Sequence, residues 1–262
     1  MQPNDPSRTS YQGGPNALNT PNTLSGAVDV RAGSVPREGF LTAAFVWMFI
    51  GLLVSAGSAY FVMNNPSALV SVIENWFILL IANVGMVFGL SFLITRLSPL
   101  VSLGMFFAYA LLNGLTLGVI VVSYTAAGIT PSGEVIGGDA SGVVAAFLGA
   151  SAVFASAALY GVVTKRDLTK LGGILFMGLI GLLVMMLVQI FLFPGSGAFN
   201  FIIGAVGVLI FTGLTAYDVQ RIQRGAMPGL NKDSKSVMGA LMLYLDFVNL
   251  FLMMLRLFGG NR

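Results

Sequence analysis

The sequence predicts an all-α polytopic membrane protein, a bundle of seven transmembrane helices, and three observations carry that prediction. Of the 262 residues, 56% are hydrophobic and only 9% are charged, whereas a soluble domain carries about a quarter charged residues. Charge-free runs recur at or above the roughly 20 apolar residues that a helix needs to cross a bilayer. Beyond the first 38 residues every proline (Pro66, Pro99, Pro131, Pro194 and Pro228) falls in or beside a connection between those runs, where a missing N–H costs nothing.

The elements follow in order. Residues 1–38 hold half of the ten prolines, many Asn, Ser, Thr and Gly, and few large apolar side chains. Such a segment cannot bury enough surface to offset its ordering entropy, so it reads as a disordered polar tail; residues 39–262 form the membrane domain. The uncharged stretch from Gly39 to Ile73 gives a first helix at about 40–63, and residues 75–95, between Glu74 and Arg96, give a second. A third runs at about 99–123, followed by a Gly-rich loop with Glu134 and Asp139, and a fourth covers 140–164. The uncharged run from Leu171 to Tyr217 is too long for one span and is broken by PGSG at 194–197, so it reads as two helices joined by a tight turn. The seventh segment runs from about 237 to 258. Trp76 opens the second helix at an interface position, and Trp47 lies deeper.

Lys and Arg set the orientation. The tail and the even-numbered connections carry eleven of them (Arg8, Arg31, Arg37, Arg96, Lys165, Arg166, Lys170, Arg221, Arg224, Lys232 and Lys235), and the odd-numbered connections none. The N-terminus and the even connections are therefore expected in the cytoplasm. Arg256 and Arg262 lie outside if the seventh segment spans fully, and inside if it turns back. The net charge of +3 is too small to indicate a nucleic-acid partner. Gly85 and Gly89 in the second helix, Gly114 and Gly118 in the third, and Gly178 and Gly181 in the fifth allow close helix approach. They read as tight packing inside one bundle or, second, as a dimer interface.

The chemistry is narrowed by absence. With no Cys and no His, disulfides, thiol nucleophiles, zinc sites and Ser-His or Cys-His catalysis are excluded, and titration near neutral pH is left to a carboxylate or a lysine. Eight of the ten acidic residues lie in the tail or the connections and read as solvated, with cation gathering at an outer mouth a second reading for Glu134 and Asp139. The remaining two are Asp218, in TAYDVQRI, and Asp246, in LYLDFVNLF. A charged carboxylate in hydrocarbon costs at least about 2.5–3.5 kcal/mol, so such a residue faces the bundle interior, takes a partner or stays protonated. With the seventh segment starting near 237, Asp246 lies roughly 14 Å along it. Asn249 shares its face, as Thr215 shares that of Asp218. Two readings stay open. The aspartates meet and share a proton, making a carboxylate pH sensor, or they are separate interior groups that fix helix register, with Asp218 paired to Arg221. Arg96 is likewise either a topology determinant or an inward-turned counter-ion.

TAYDVQRI, followed by GALMLYLDFVNLFLMMLRLFG and preceded by LNGLTL at 112–117, closely resembles the signature of the Bax inhibitor-1 family, the transmembrane Bax inhibitor motif proteins. The likeness covers about residues 40–262. It implies a bundle with the last helix at its centre and the other six around it, in a bacterial inner membrane. It implies a pH-sensitive calcium leak in which Asp218 and Asp246 form a hydrogen-bonded di-aspartyl pair and Arg96 is the latch. Calcium is then the transported species, passing Asp218 and Asp246, and no cofactor is implied. Some members carry a glutamate within the second helix; here Gly85 stands at about that position, with Asn83 nearby, which leaves the carboxylate pair as the gate. A second bacterial branch, with a long polar tail like this one, modulates a membrane-anchored AAA protease.

Three function classes follow. The first is a passive, pH-gated cation leak, with Asn249 and Thr215 as supporting polar groups and oxygen ligands suited to a hard cation. The second is an interaction protein whose tail engages a membrane protease. The third, an intramembrane aspartyl protease, is disfavoured because such enzymes place an aspartate in GxGD, whereas Leu243, Tyr244 and Leu245 precede Asp246. The chain is therefore not expected to be an enzyme.

Overall fold

The computed structural model describes residues 37–258, so residues 1–36 of the tail expected over 1–38, and Arg262, lie outside the described residues, while Arg37 and Glu38 of that expected tail open the first helix. Eight α-helices are present there: α1 (Arg37–Met63), α2 (Pro66–Glu74), α3 (Trp76–Leu93), α4 (Pro99–Thr125), α5 (Ser141–Val163), α6 (Thr169–Leu192), α7 (Gly197–Gln223) and α8 (Lys232–Phe258). All but α2 are long and apolar enough to cross a membrane. The seven expected segments correspond to α1, α3, α4, α5, α6, α7 and α8.

Local sequence explains where these helices start. Asn65 accepts a hydrogen bond from the Ala68 N–H and Pro66 occupies the first turn of α2; Ser98 and Pro99 do the same for α4 through the Val101 N–H. Both pairs use the preference for a polar cap followed by proline. The PGSG turn between α6 and α7 places Gly195 at φ +76°, and Ser196 then caps α7 through the Phe199 N–H.

Two elements go beyond the sequence reading. Helix α2 buries Leu69 and Val72 beside Val62 of α1 and Val122 of α4. The Gly-rich loop forms a two-stranded antiparallel hairpin, β1 (Gly128–Ile129) paired with β2 (Val135–Ile136). Its turn residue Gly133 has φ +86°, and a Cβ there would stand 2.5 Å from the Pro66 carbonyl oxygen, so the hairpin tip rests on α2.

Helix α8 is the centre of the bundle, with 67% of its apolar window buried against 11% for α3 and for α6. Its main packing partners are α7, α1 and α5, with α4 alongside. The expectation of six surrounding helices is therefore narrowed to four. Helix α3 packs on α4 and α2, helix α6 packs on α7, and neither makes an extended contact with α8. Helix α8 also begins earlier than about 237. Lys232, Asp233 and Lys235 extend its amino end by five residues, which places Asp246 fourteen residues along it, roughly 21 Å rather than 14 Å. It continues unbroken for 27 residues to Phe258, roughly 40 Å, enough to span fully.

The glycine pairs divide. Gly114 and Gly118 sit where α4 crosses α1, and a Cβ at Gly118 would stand 2.9 Å from the Ala59 carbonyl oxygen. Gly85 and Gly89 meet nothing within 4 Å, and the same holds for Gly181, whereas Gly178 faces Ile210. Bundle packing thus accounts for the glycines of α4 but not for those of α3.

Candidate functional site

Asp218 and Asp246 line one cavity of about 600 Å³. Asp218 projects from α7, five residues before its end, and Asp246 from the middle of α8. Asn249 follows Asp246 one turn later on the same wall, and Asn83 of α3 and Tyr109 and Asn113 of α4 complete the polar lining. Apolar side chains of α3 and α6, among them Val84 and Leu183, form the outer walls, and others from α7 and α8, such as Leu214 and Met242, complete the lining.

Burial separates the two carboxylates. Asp246 is only 5% exposed, and its Oδ2 is buried with no hydrogen-bond partner; Asp218 is half-buried. The charge of Asp218 acts on Asp246, and that of Arg221 acts on Asp218. Arg221 nevertheless turns its Nε to the Ala226 carbonyl at 3.3 Å and forms no ion pair with Asp218. The one ion pair among the described residues is Arg224–Asp167 at 2.7 Å.

The other expected site residues are placed as follows. Asn249 lies in the cavity wall, and its Nδ2 donates to the Leu245 carbonyl at 2.8 Å. Thr215, fully buried, donates its hydroxyl to the Phe211 carbonyl at 2.8 Å, so it serves its own helix rather than Asp218. Arg96 stands exposed in the turn after α3 and makes no ion pair, so in this conformation it does not latch the aspartates. Among the described residues no three acidic side chains come close enough to hold a metal ion together.

Three polar groups were not singled out from sequence. Tyr244 is completely buried where α8 meets α1 and α4, and its hydroxyl lies 2.6 Å from Ser55 Oγ and accepts from Asn113 Nδ2 at 2.8 Å. Ser55 directs its single proton to the Ala110 carbonyl at 2.7 Å, so Tyr244 donates to Ser55. Asn113 lines the carboxylate cavity, and Ser55 lines a second, apolar cavity of about 320 Å³ among α1, α4, α5 and α8. The Asn113–Tyr244–Ser55 chain is therefore the polar partition between the two. The available signal was Asn113 within LNGLTL, one turn after Tyr109.

A second set lies at the opposite end of α8 from Lys232. Arg256 Nη1 donates to Gln189 Oε1 at 3.1 Å and to Asn200 Oδ1 at 2.9 Å, tying together α8, α6 and α7. These amide oxygens accept both hydrogen bonds of Nη1, two of the five guanidinium donors, and give the arginine inside the final segment its polar partners. On the side of the α5–α6 connection, Gln220 of the YDVQ stretch accepts from the Leu168 N–H and donates to the Arg166 carbonyl. That glutamine pins the loop carrying Asp167. The Thr169 hydroxyl and N–H, and then Arg224, hold the Asp167 carboxyl below the usual carboxylate range, at about 2.

Comparison with known proteins fits this arrangement. Residues 37–262 match the profile of the family described as "Inhibitor of apoptosis-promoting Bax1". The chain belongs to the Bax inhibitor-1 family. The inner membrane protein YbhL of Escherichia coli strain K12 is 37% identical over 238 residues, covering 87% of this chain and 95% of the relative. A protein of Borreliella burgdorferi is 37% identical over 235 residues (86% and 94% of the two chains), and one of Deinococcus radiodurans 35% over 226 (85% and 90%). In this Bax inhibitor-1 family member the two signature stretches form the end of α7 and the middle of α8, the two helices that carry the carboxylates.

Proposed function

We propose that this Bax inhibitor-1 family protein is a pH-sensitive cation leak channel of the bacterial inner membrane, with calcium as the transported ion and Asp218 and Asp246 as its gate. The observation that carries the reading is a shared cavity in which one carboxylate oxygen, Asp246 Oδ2, is buried without a partner. A buried carboxylate needs a cation, a donor or a proton. Ionised, the pair draws a hard cation toward oxygen ligands, with the Asn249 side chain on the same wall. Protonated, it loses that attraction and becomes a hydrogen-bond donor, which changes how α8 sits against its neighbours. The Tyr244–Ser55 contact is the barrier between the carboxylate cavity and the second cavity. Arg96 takes part in a different conformation, since here its side chain is exposed. The N-terminus lies in the cytoplasm in this reading, following the distribution of Lys and Arg.

The test is calcium flux in proteoliposomes from about pH 5.5 to about 8.5, a range in which a shared carboxylate proton can exchange. The wild type should show a pH-dependent leak, and Asp218→Asn and Asp246→Asn should each flatten it. Unchanged profiles in both variants would sink the gate assignment. Deleting residues 1–35 should leave the leak intact, whereas binding of a partner such as a membrane-anchored AAA protease through the tail should be lost on that deletion.

A further inference from the structure

The carboxylate cavity is open on one side, and that side faces the bilayer. Its outer walls are α3 and α6, which pack on α4 and α7 respectively and make no extended contact with each other or with α8. Val84 and Leu183 line the cavity and are at the same time 50% and 53% exposed. Both lie near the middle of their helices, at the depth of acyl chains rather than headgroups or water. What reaches the cavity sideways must therefore carry a hydrocarbon portion.

At the inner end the chemistry reverses. Asp246 Oδ2 and Asn83 Oδ1 are both buried without hydrogen-bond partners, and the Asp218 carboxylate shares their cavity. Among the described residues no lysine or arginine lines it. Buried acceptors left unpaired are costly, and two carboxylates repel an anionic head such as a phosphate. A primary ammonium has three donors and no acceptor, one for each of these groups. The cavity, at about 600 Å³, is within the size range of about 300–1,000 Å³ common to small-molecule sites.

We infer that this cavity binds a single-chain cationic amphiphile, a primary alkylammonium whose head pairs with Asp246, Asp218 and Asn83 and whose tail leaves between α3 and α6 into the lipid. The site exists whether or not the cavity conducts ions, because it needs only the lateral opening and the unpaired acceptors. Apolar contact along Leu80, Val84 and Leu183 holds the chain, and the charge-assisted hydrogen bonds select the head.

The experiment uses the full chain in neutral-detergent micelles and counts bound probe by native mass spectrometry, with dodecylamine, dodecanol and dodecanoate as the three probes. One dodecylamine per chain is expected, with dodecanol and dodecanoate much weaker. Asp246→Asn should weaken dodecylamine about tenfold or more, the effect of one charge-assisted hydrogen bond. Leu183→Trp should block the opening and weaken it similarly without touching a carboxylate, so this variant decides the matter if Asp246→Asn fails to fold. Equal binding of dodecanoate, or dodecylamine binding indifferent to Leu183→Trp, overturns the proposal. A wild-type chain that appears as a dimer, turns monomeric in Leu183→Trp and takes up no amine in either form also overturns it, because a second copy would then fill the opening. Flux plays no part in the readout, so failure of the leak assay and failure of amine binding are separate results.

Discussion

Replacing Gly114 and Gly85 by alanine, one at a time, should give opposite results although both belong to G-x-x-x-G stretches. At Gly114 a new Cβ would collide with the Ser55 backbone and Ser58 Oγ of α1. Ser58 Oγ is engaged with the Ser55 and Leu111 carbonyls, and a backbone cannot rotate away. Overpacking of this kind costs about 1–3 kcal/mol, and collision with main chain belongs at the upper end. Alanine returns up to about 1 kcal/mol of helix propensity over glycine, so the net loss for Gly114→Ala is about 2 kcal/mol, roughly a thirtyfold shift in the folding equilibrium. At Gly85 a Cβ meets nothing within 4 Å, so Gly85→Ala should be neutral or stabilising by up to about 1 kcal/mol. Reversible unfolding in mixed micelles, with denaturing detergent as titrant, measures both. Equal destabilisation by the two variants would show that α3 packs as tightly as α4, and would refute both the α1–α4 geometry and the open side of the cavity.

Tyr244→Phe keeps the ring in the core but removes an acceptor for Asn113 and a donor to Ser55. It should cost about 1–2 kcal/mol in the same titration and raise flux by weakening the barrier between the cavities; unchanged flux and stability would mean that the hydroxyl is idle. Asp167→Asn serves as the pH control. The Asp167 carboxyl lies at about 2, below its ordinary 3.8, because of its hydrogen bonds from Thr169 and then Arg224. A depressed value means that its stabilising contribution is fully present above the ordinary value and lost only as pH falls through about 2. Asp167→Asn should therefore leave the shape of the flux profile between about pH 5.5 and about 8.5 unchanged, and a flattened profile would move the sensor to the α5–α6 loop.

The seven spans were legible because hydrocarbon excludes charge, and Glu74, Arg96, Lys165 and Lys232 mark where it ends. Helix α2 was hidden by the same logic, since Pro66–Ile73 carries no charge to set it apart from its neighbours. The Asn65–Pro66 pair, an N-cap followed by proline at the first turn, was the local sign of it. The start of α8 was missed in the other direction, because Lys232 and Lys235 were read as ending a connection when they open a helix. Asp218 and Asp246 stood out as carboxylates among apolar neighbours. Tyr244, Ser55 and Asn113 did not, because such residues are common in helices and take on meaning only when three helices bring them within hydrogen-bond distance.

The sequence by itself determined the solvent, the number of crossings and the two carboxylates, because charge in hydrocarbon is costly wherever the chain folds. Tertiary structure decided which faces meet. It buried α8 among four helices, closed Gly114 onto α1 while leaving Gly85 open, and kept α3 and α6 apart around the cavity. Between helices in lipid there is little hydrophobic gain to distinguish one apolar face from another. Close packing and hydrogen bonds make that choice, and they depend on side-chain positions that one-dimensional spacing does not contain.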